Sequence, residues 1–175
     1  MHISGYKRKK WVHKDDTAID RTVKFPLKRH IWGCFYRGGL CTIEVFSENM
    51  NTEKYIQILT ENLIPFLDAS NQKLIFQHDN DPKHTAKATK KFLMDSKVNV
   101  LEWPSNSPDL NPIENLWSQL KLNVSKCKSI NTKDFVCNIF TEWNDFSIKY
   151  LEALIDSMPT RIKKLIENKG DCIMY

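Results

Sequence analysis

The sequence predicts an α/β domain in which a mixed sheet is flanked by helices. Three observations carry that reading. Two β-rich runs flank Arg37-Gly38-Gly39. The continuous apolar run "KLIFQHD" sits between segments of helical spacing. From Pro112 onward the chain reads as successive helices. With 175 residues, 41% of them apolar and 11% aromatic, the chain suits one domain with a real hydrophobic core and is too apolar to be disordered.

Taken in order, "GYKRKKWVHKDD" mixes four consecutive cations with Trp11 and Val12 and predicts a short strand with basic edges. "HIWGCFYRGGLCTIEVF" predicts a hairpin, because glycine supplies the positive φ that a tight turn needs. "MNTEKYIQILTENLIPFL" places Tyr55, Ile56, Leu59 and Leu63 at helical spacing behind an Asn51/Thr52 cap signal, with Pro65 near the helix end. "KLIFQHD" predicts a buried strand, and "VNVLEW" another short one. Between them "PKHTAKATKKFLMDS" predicts a basic amphipathic helix with Pro82 in its first turn. "PIENLWSQLKLNV" puts Ile113, Leu116, Trp117 and Leu120 on one helix face. The tail gives two or three more helices, divided by Pro159 and terminated at Gly170. Trp32, Trp103, Trp117 and Trp143 sit among apolar neighbours and are expected in the core.

Composition narrows the function classes. No apolar run approaches the ~18 residues of a membrane span, and the basic N-terminus has no apolar stretch after it, so no membrane role is expected. Five cysteines with no CxxC pair read as reduced thiols rather than a zinc site. The net charge of +5 is uneven: residues 1–30 hold nine Lys/Arg against three Asp. A polyanion partner held by that third is one reading, and a solvated basic arm is the other.

Two acids then stand out. Asp79 would emerge at the C-terminal end of a buried strand, where open α/β sheets place their chemistry. Glu114 begins a helix that Leu116 and Trp117 would lock to the core. Rigid elements can hold such carboxylates at fixed separation, as two-metal phosphodiester chemistry requires, and Mg²⁺ binds through a few carboxylates while keeping waters that phosphates replace. Spacing alone is weak evidence, since an acid in a first helical turn is often only a favourable dipole contact.

The context is more specific. "HDNDPKHTA" followed by "LEWPSNSPDLNPIENLW" closely resembles the catalytic core of the Tc/mariner superfamily of cut-and-paste DNA transposases. "WGCF", "NMNTEKYIQIL", "ENLIPF" and "SMPTRIKKLIENKG" match the same family in the same order, from about Gly5 onward. The Tc-type branch carries an Asp-Asp-Glu triad with 34 residues between the second Asp and the Glu, and positions 80 through 113 are 34 residues. The resemblance implies that Asp79 and Glu114 are the second and third members and ligands of Mg²⁺ or Mn²⁺. It further implies a ribonuclease H-like fold, double-stranded DNA (transposon ends and target) as partner, a homodimer and a nuclear location. Residues 1–126 would form the sheet and catalytic core of one truncated domain, and residues 127–175 its C-terminal helices.

The family's first catalytic Asp lies on a strand upstream of the segment resembling "GYKRKKWV". Met1–Ser4 carries no acid, and Asp15, Asp16 and Asp20 follow Trp11 and Val12. The expectation is a catalytic-domain fragment without its first central strand, first Asp and N-terminal DNA-binding modules, inactive by itself. A decayed or co-opted DNA-binding or interaction module on the same fold is the alternative.

Supporting residues carry two readings each. His84 either approaches a metal-bound phosphate or packs and caps the helix start. Asp81 is read as a cap in preference to a supporting acid beside the metal, and Asp109 as a turn former in preference to a ligand. Pro104, Pro108 and Pro112 restrict the loop before Glu114. Lys83 and Lys87, with Lys90 and Lys91, form a basic face that either contacts phosphate or is merely solvated. Lys7, Arg8, Lys9 and Lys10 fall where relatives contact DNA or a partner subunit, and also resemble a nuclear-localisation run.

Overall fold

A computed structural model describes residues 2–4, 28–70, 72–105 and 107–171. The expected strand at "GYKRKKWV", the Lys7–Lys10 run and Asp15, Asp16 and Asp20 lie outside the described residues. His2–Ser4 (β1), Lys28–Tyr36 (β2) and Gly39–Phe46 (β3) form an antiparallel sheet in the order β1-β2-β3. The hairpin turns over Arg37 and Gly38 as expected, and Gly39 leaves the turn at φ +152°, where a side chain would be strained.

Strand alternation sends successive residues to opposite faces, and here both faces are covered. Ile31 and Ile43 point to one cluster, with Leu116, Trp117, Leu120, Phe135, Ile139, Trp143 and Leu151. Trp32 and Phe46 point to the other, with Tyr55, Ile58, Leu59, Leu63, Phe76 and Leu93. The result is the layered α/β arrangement the sequence predicts. Gly33, in "WGCF", sits where the first layer comes closest. A Cβ built there would lie 3.0 Å from Trp143 and 3.1 Å from Trp117.

With the first central strand expected to be missing, the hairpin would lack that neighbour. Instead His2–Ser4 pairs with β2, in the register His2↔His30 to Ser4↔Lys28, and covers its otherwise open edge there. Further along, Ile31, Gly33 and Tyr36 of β2 share a cavity of about 730 Å³ with Phe76, Gln77 and Asp79.

The expected strands at "KLIFQHD" and "VNVLEW" shrink to one parallel bridge, Phe76↔Val100. Phe76 N–H donates to Asn99 O and Leu101 N–H to Phe76 O, each at 2.8 Å. Only Phe76 of the apolar run is buried, and Ile75 is exposed. One bridge still fixes where the chain enters Asp79.

The helices follow as Thr52–Ile58 (α1), Ile64–Ala69 (α2), Pro82–Thr85 (α3), Lys87–Asp95 (α4), Pro112–Lys126 (α5), Thr132–Asn144 (α6), Ile148–Asp156 (α7) and Met158–Glu167 (α8). Asn51 caps α1 by accepting from Lys54 N–H at 2.8 Å. Between α1 and α2 the chain winds a π-helical turn, Leu59–Leu63. Pro65 lacks an N–H and crowds the carbonyl four residues before it, and the wider turn lets the helix run on past it rather than end there. The expected basic helix divides at Ala86, whose ψ of 144° is extended. Pro159 sits in the first turn of α8, and Gly170 follows its end at φ +90°. Trp32, Trp117 and Trp143 are core residues, but Trp103 is half-buried against the cleft described next.

Candidate active site

Asp79 lies three residues beyond the Phe76 bridge, where the chain turns into α3. Its Oδ1 accepts from Asp81 N–H at 3.1 Å and from His84 Nδ1 at 2.6 Å. The His84 ring beside it holds the Asp79 carboxyl down to about 2, with the Asp81 N–H adding to the effect and partial burial opposing it. Asp81 caps α3: its Oδ1 accepts from Lys83 N–H at 3.1 Å, and its Oδ2 pairs with Lys83 Nζ at 2.5 Å. Burial alone would raise its pKa, but the Lys83 partnership outweighs that and lowers it. Lys83 is thereby engaged at the cleft, whereas Lys87, Lys90 and Lys91 stand exposed on α4.

Glu114 occupies the first turn of α5, its N–H bonded to Asn111 O at 3.1 Å. Its carboxylate reaches water at the wall of a cleft. Crowding by protein there, then the negative charge of Asp79, raises its pKa against the pull of Lys121. Asp79 and Glu114 line one cleft of about 470 Å³, with Asn80, Trp103 and Pro104 between them. The two sequence-predicted acids are therefore brought together. Asn80 Nδ2 donates to Trp103 O at 2.7 Å, joining two segments of the cleft's lining.

Several residues that sequence reasoning passed over hold this frame. Gln77 Nε2 donates to the Oδ1 of buried Asn111 at 3.0 Å, tying the approach to Asp79 directly to the loop before Glu114. Buried Tyr55 is bonded through its hydroxyl to His78 Nδ1 at 2.9 Å, and its ring packs 4.1 Å from that of His84. Burial, then the neighbouring His84, lowers the His78 pKa to about 4, so that ring is neutral at pH 7. Burial also raises the Tyr55 pKa, which keeps its hydroxyl protonated. His84 thus both packs on Tyr55 and bonds Asp79. Asp109 lies in the turn before α5 and offers its carbonyl to Arg161 at 2.9 Å. A polar tip on the buried face of "EKYIQIL" was the available signal for Tyr55. Arg161 falls within "SMPTRIKKLIENKG", a segment the resemblance covers, but nothing there ties the arginine to the two acids.

Among the described residues no three His, Cys, Asp or Glu side chains converge closely enough to form a metal cluster. Asp79 and Glu114 offer a two-carboxylate set. Such hard oxygen donors fit a divalent cation that keeps waters and binds through one or two carboxylates.

A family model described as DDE superfamily endonuclease matches residues 1–137. The chain belongs to this family. Nematode transposases are among the relatives of this DDE-family chain. It is 33% identical over 178 aligned positions to the transposable element Tcb2 transposase of Caenorhabditis briggsae, covering 97% of this chain and 65% of the relative. It is 32% identical over 146 to the Tc1 transposase of Caenorhabditis elegans, covering 83% and 54%. The chain spans about half to two thirds of the length of these relatives.

Solved structures give the same fold. A Mos1 transposase paired-end complex with a left transposon end superposes with a TM-score of 0.83 over 99% of this chain and 55% of that one, at 22% identity. The Mos1 transposase catalytic domain with Raltegravir and Mn superposes at 0.77 over 84% and 78%. The DDE chain therefore has the ribonuclease H-like fold.

Proposed function

We propose that this chain carries the DNA-cleaving and strand-transferring centre of a Tc/mariner-type cut-and-paste transposase, with Asp79 and Glu114 as ligands of Mg²⁺ or Mn²⁺. One observation supports this above the others: two acids with 34 residues between them, each in the motif that resembles the family's, line one cleft. Structures of the Mos1 catalytic domain are described with Mn and with Mg. A bound divalent cation would supply an activated attacking oxygen and charge neutralisation at the phosphate.

The chain's own residues prepare that chemistry. His84 keeps Asp79 ionised, so one ligand is ready well below neutral pH. Glu114, with its raised pKa, holds its proton to higher pH than Asp79. Tyr55 and His78 fix the plane of His84 from behind. Lys83 and Lys87 lie on the helices leading from Asp79 and would contact phosphates of double-stranded DNA. Mos1 complexes described as paired-end support transposon ends as the DNA partner and a homodimer as the working state. Work on chromosomal DNA implies the nucleus.

The test is calorimetric titration of the chain with Mn²⁺, beside Asp79→Ala/Glu114→Ala. The expected result is saturable binding that disappears in the double variant while far-UV circular dichroism is unchanged. Equal binding by both proteins would remove the two carboxylates from the reaction.

A further inference from the structure

We infer that Arg161 is the positioning residue for Glu114, an inference that rests on the metal-site reading above. Arg161 lies on α8, far along the chain from both catalytic motifs, and is only 2% exposed. Taking a guanidinium out of water is costly unless its donors find acceptors. Here its three nitrogens reach three different segments. Nε donates to Ser157 Oγ at 2.8 Å, NH1 to the Asp109 carbonyl at 2.9 Å, and NH2 to Asn115 Oδ1 at 2.7 Å. The first anchors the group to α8. The other two grip the turn before α5 and the residue next to Glu114.

The start of α5 needs that grip. No side chain caps its first turn. Asn111, in the capping position, turns its Oδ1 to Gln77 instead. Orientation of the turn that presents Glu114 therefore falls to partners outside the helix: Gln77 on the Asp79 side and Arg161 on the other. A planar fork with fixed donor directions locks two segments at once, whereas a lysine ammonium on a flexible stem serves as one point. Stability alone is a poor reason for the choice, because a well-packed apolar residue of similar volume often replaces a buried cation without loss.

The experiment compares Arg161→Lys, Arg161→Met and a control, Leu151→Ala, which opens a cavity in the same helical layer but removes none of the hydrogen bonds to the α5 start. Mn²⁺ affinity is measured by calorimetry well below each variant's unfolding temperature, and backbone amide exchange is measured over residues 107–120 and over α6. We expect both Arg161 variants to bind Mn²⁺ ~10-fold more weakly. Their exchange should quicken over 107–120 and stay as in the parent over α6. Leu151→Ala should bind Mn²⁺ within about twofold of the parent, in line with a site that local geometry rather than global stability controls. Arg161→Lys with parental affinity and parental exchange overturns the inference, as does equal weakening by Leu151→Ala. Should the parent's Mn²⁺ binding survive Asp79→Ala/Glu114→Ala, the metal reading fails on its own. The exchange over 107–120 then still decides whether Arg161 fixes that turn.

Discussion

Gly33→Ala is the sharpest test of the layer that supports the site. The added methyl would stand 3.0 and 3.2 Å from two atoms of the Trp143 ring and 3.1 Å from Trp117. Neither ring yields easily. They stack at 5.2 Å, Trp143 is fully buried, and its Nε1 donates to Cys41 O at 3.2 Å. Overpacking of this kind costs ~1–3 kcal/mol. Replacing a strand glycine recovers roughly 0.5–1 kcal/mol by restricting the unfolded chain. The net is a loss of up to about 2.5 kcal/mol, and at ~2–4 °C per kcal/mol for a chain of this size the melting temperature falls by a few degrees. Thermal unfolding followed by far-UV circular dichroism gives the number. Trp143→Phe removes the ring atoms nearest the new methyl, so Gly33→Ala should cost less in that background than in the parent. A rise in melting temperature on Gly33→Ala, or strict additivity with Trp143→Phe, refutes the contact argument.

Three further outcomes follow from the site. His84→Ala should raise the Asp79 pKa from about 2 toward the ordinary carboxylate range, read by carboxyl NMR titration, and an unmoved value would remove His84 as the cause. Because the folded-state pKa of Asp79 is depressed, its contribution to stability is complete above the unfolded value and is lost as pH falls toward about 2. Its side chain is 54% exposed, so solvent screening limits that contribution to ~1 kcal/mol or less, and urea midpoints of the parent should fall more steeply than those of His84→Ala between about pH 4 and 2. Gln77→Ala and Asn111→Ala should each destabilise by ~1 kcal/mol and couple by a similar amount in the double variant, since one bond is lost in either case. Additive urea midpoints would show that the two motifs are not tied through that bond.

Much of this architecture was legible where local chemistry and periodicity agreed. The glycine turn, the cap at Asn51 and the apolar stripe of α5 each act within a few residues, so their signals survive in the sequence. The segments around Phe76 and Val100 read as full strands because apolar runs of strand length do not reveal how many backbone partners are within reach. The π-turn before Pro65 was invisible because a proline at that place reads equally well as a helix end. Within the site, the two acids were found by motif and spacing. The groups that orient them were not, because Gln77–Asn111 and Arg161–Asn115 join positions 34 and 46 residues apart and follow no period.

The clamp on the α5 turn has a consequence for biosynthesis. Asp79 and Glu114 leave the ribosome well before Arg161, which lies 52 residues after Asp109 and 46 after Asn115. Nascent chains fold as their parts emerge. A growing polypeptide therefore displays both carboxylates while the guanidinium that grips the turn beside the second is still unmade. The frame around the two acids is therefore complete only once α8 has been synthesised.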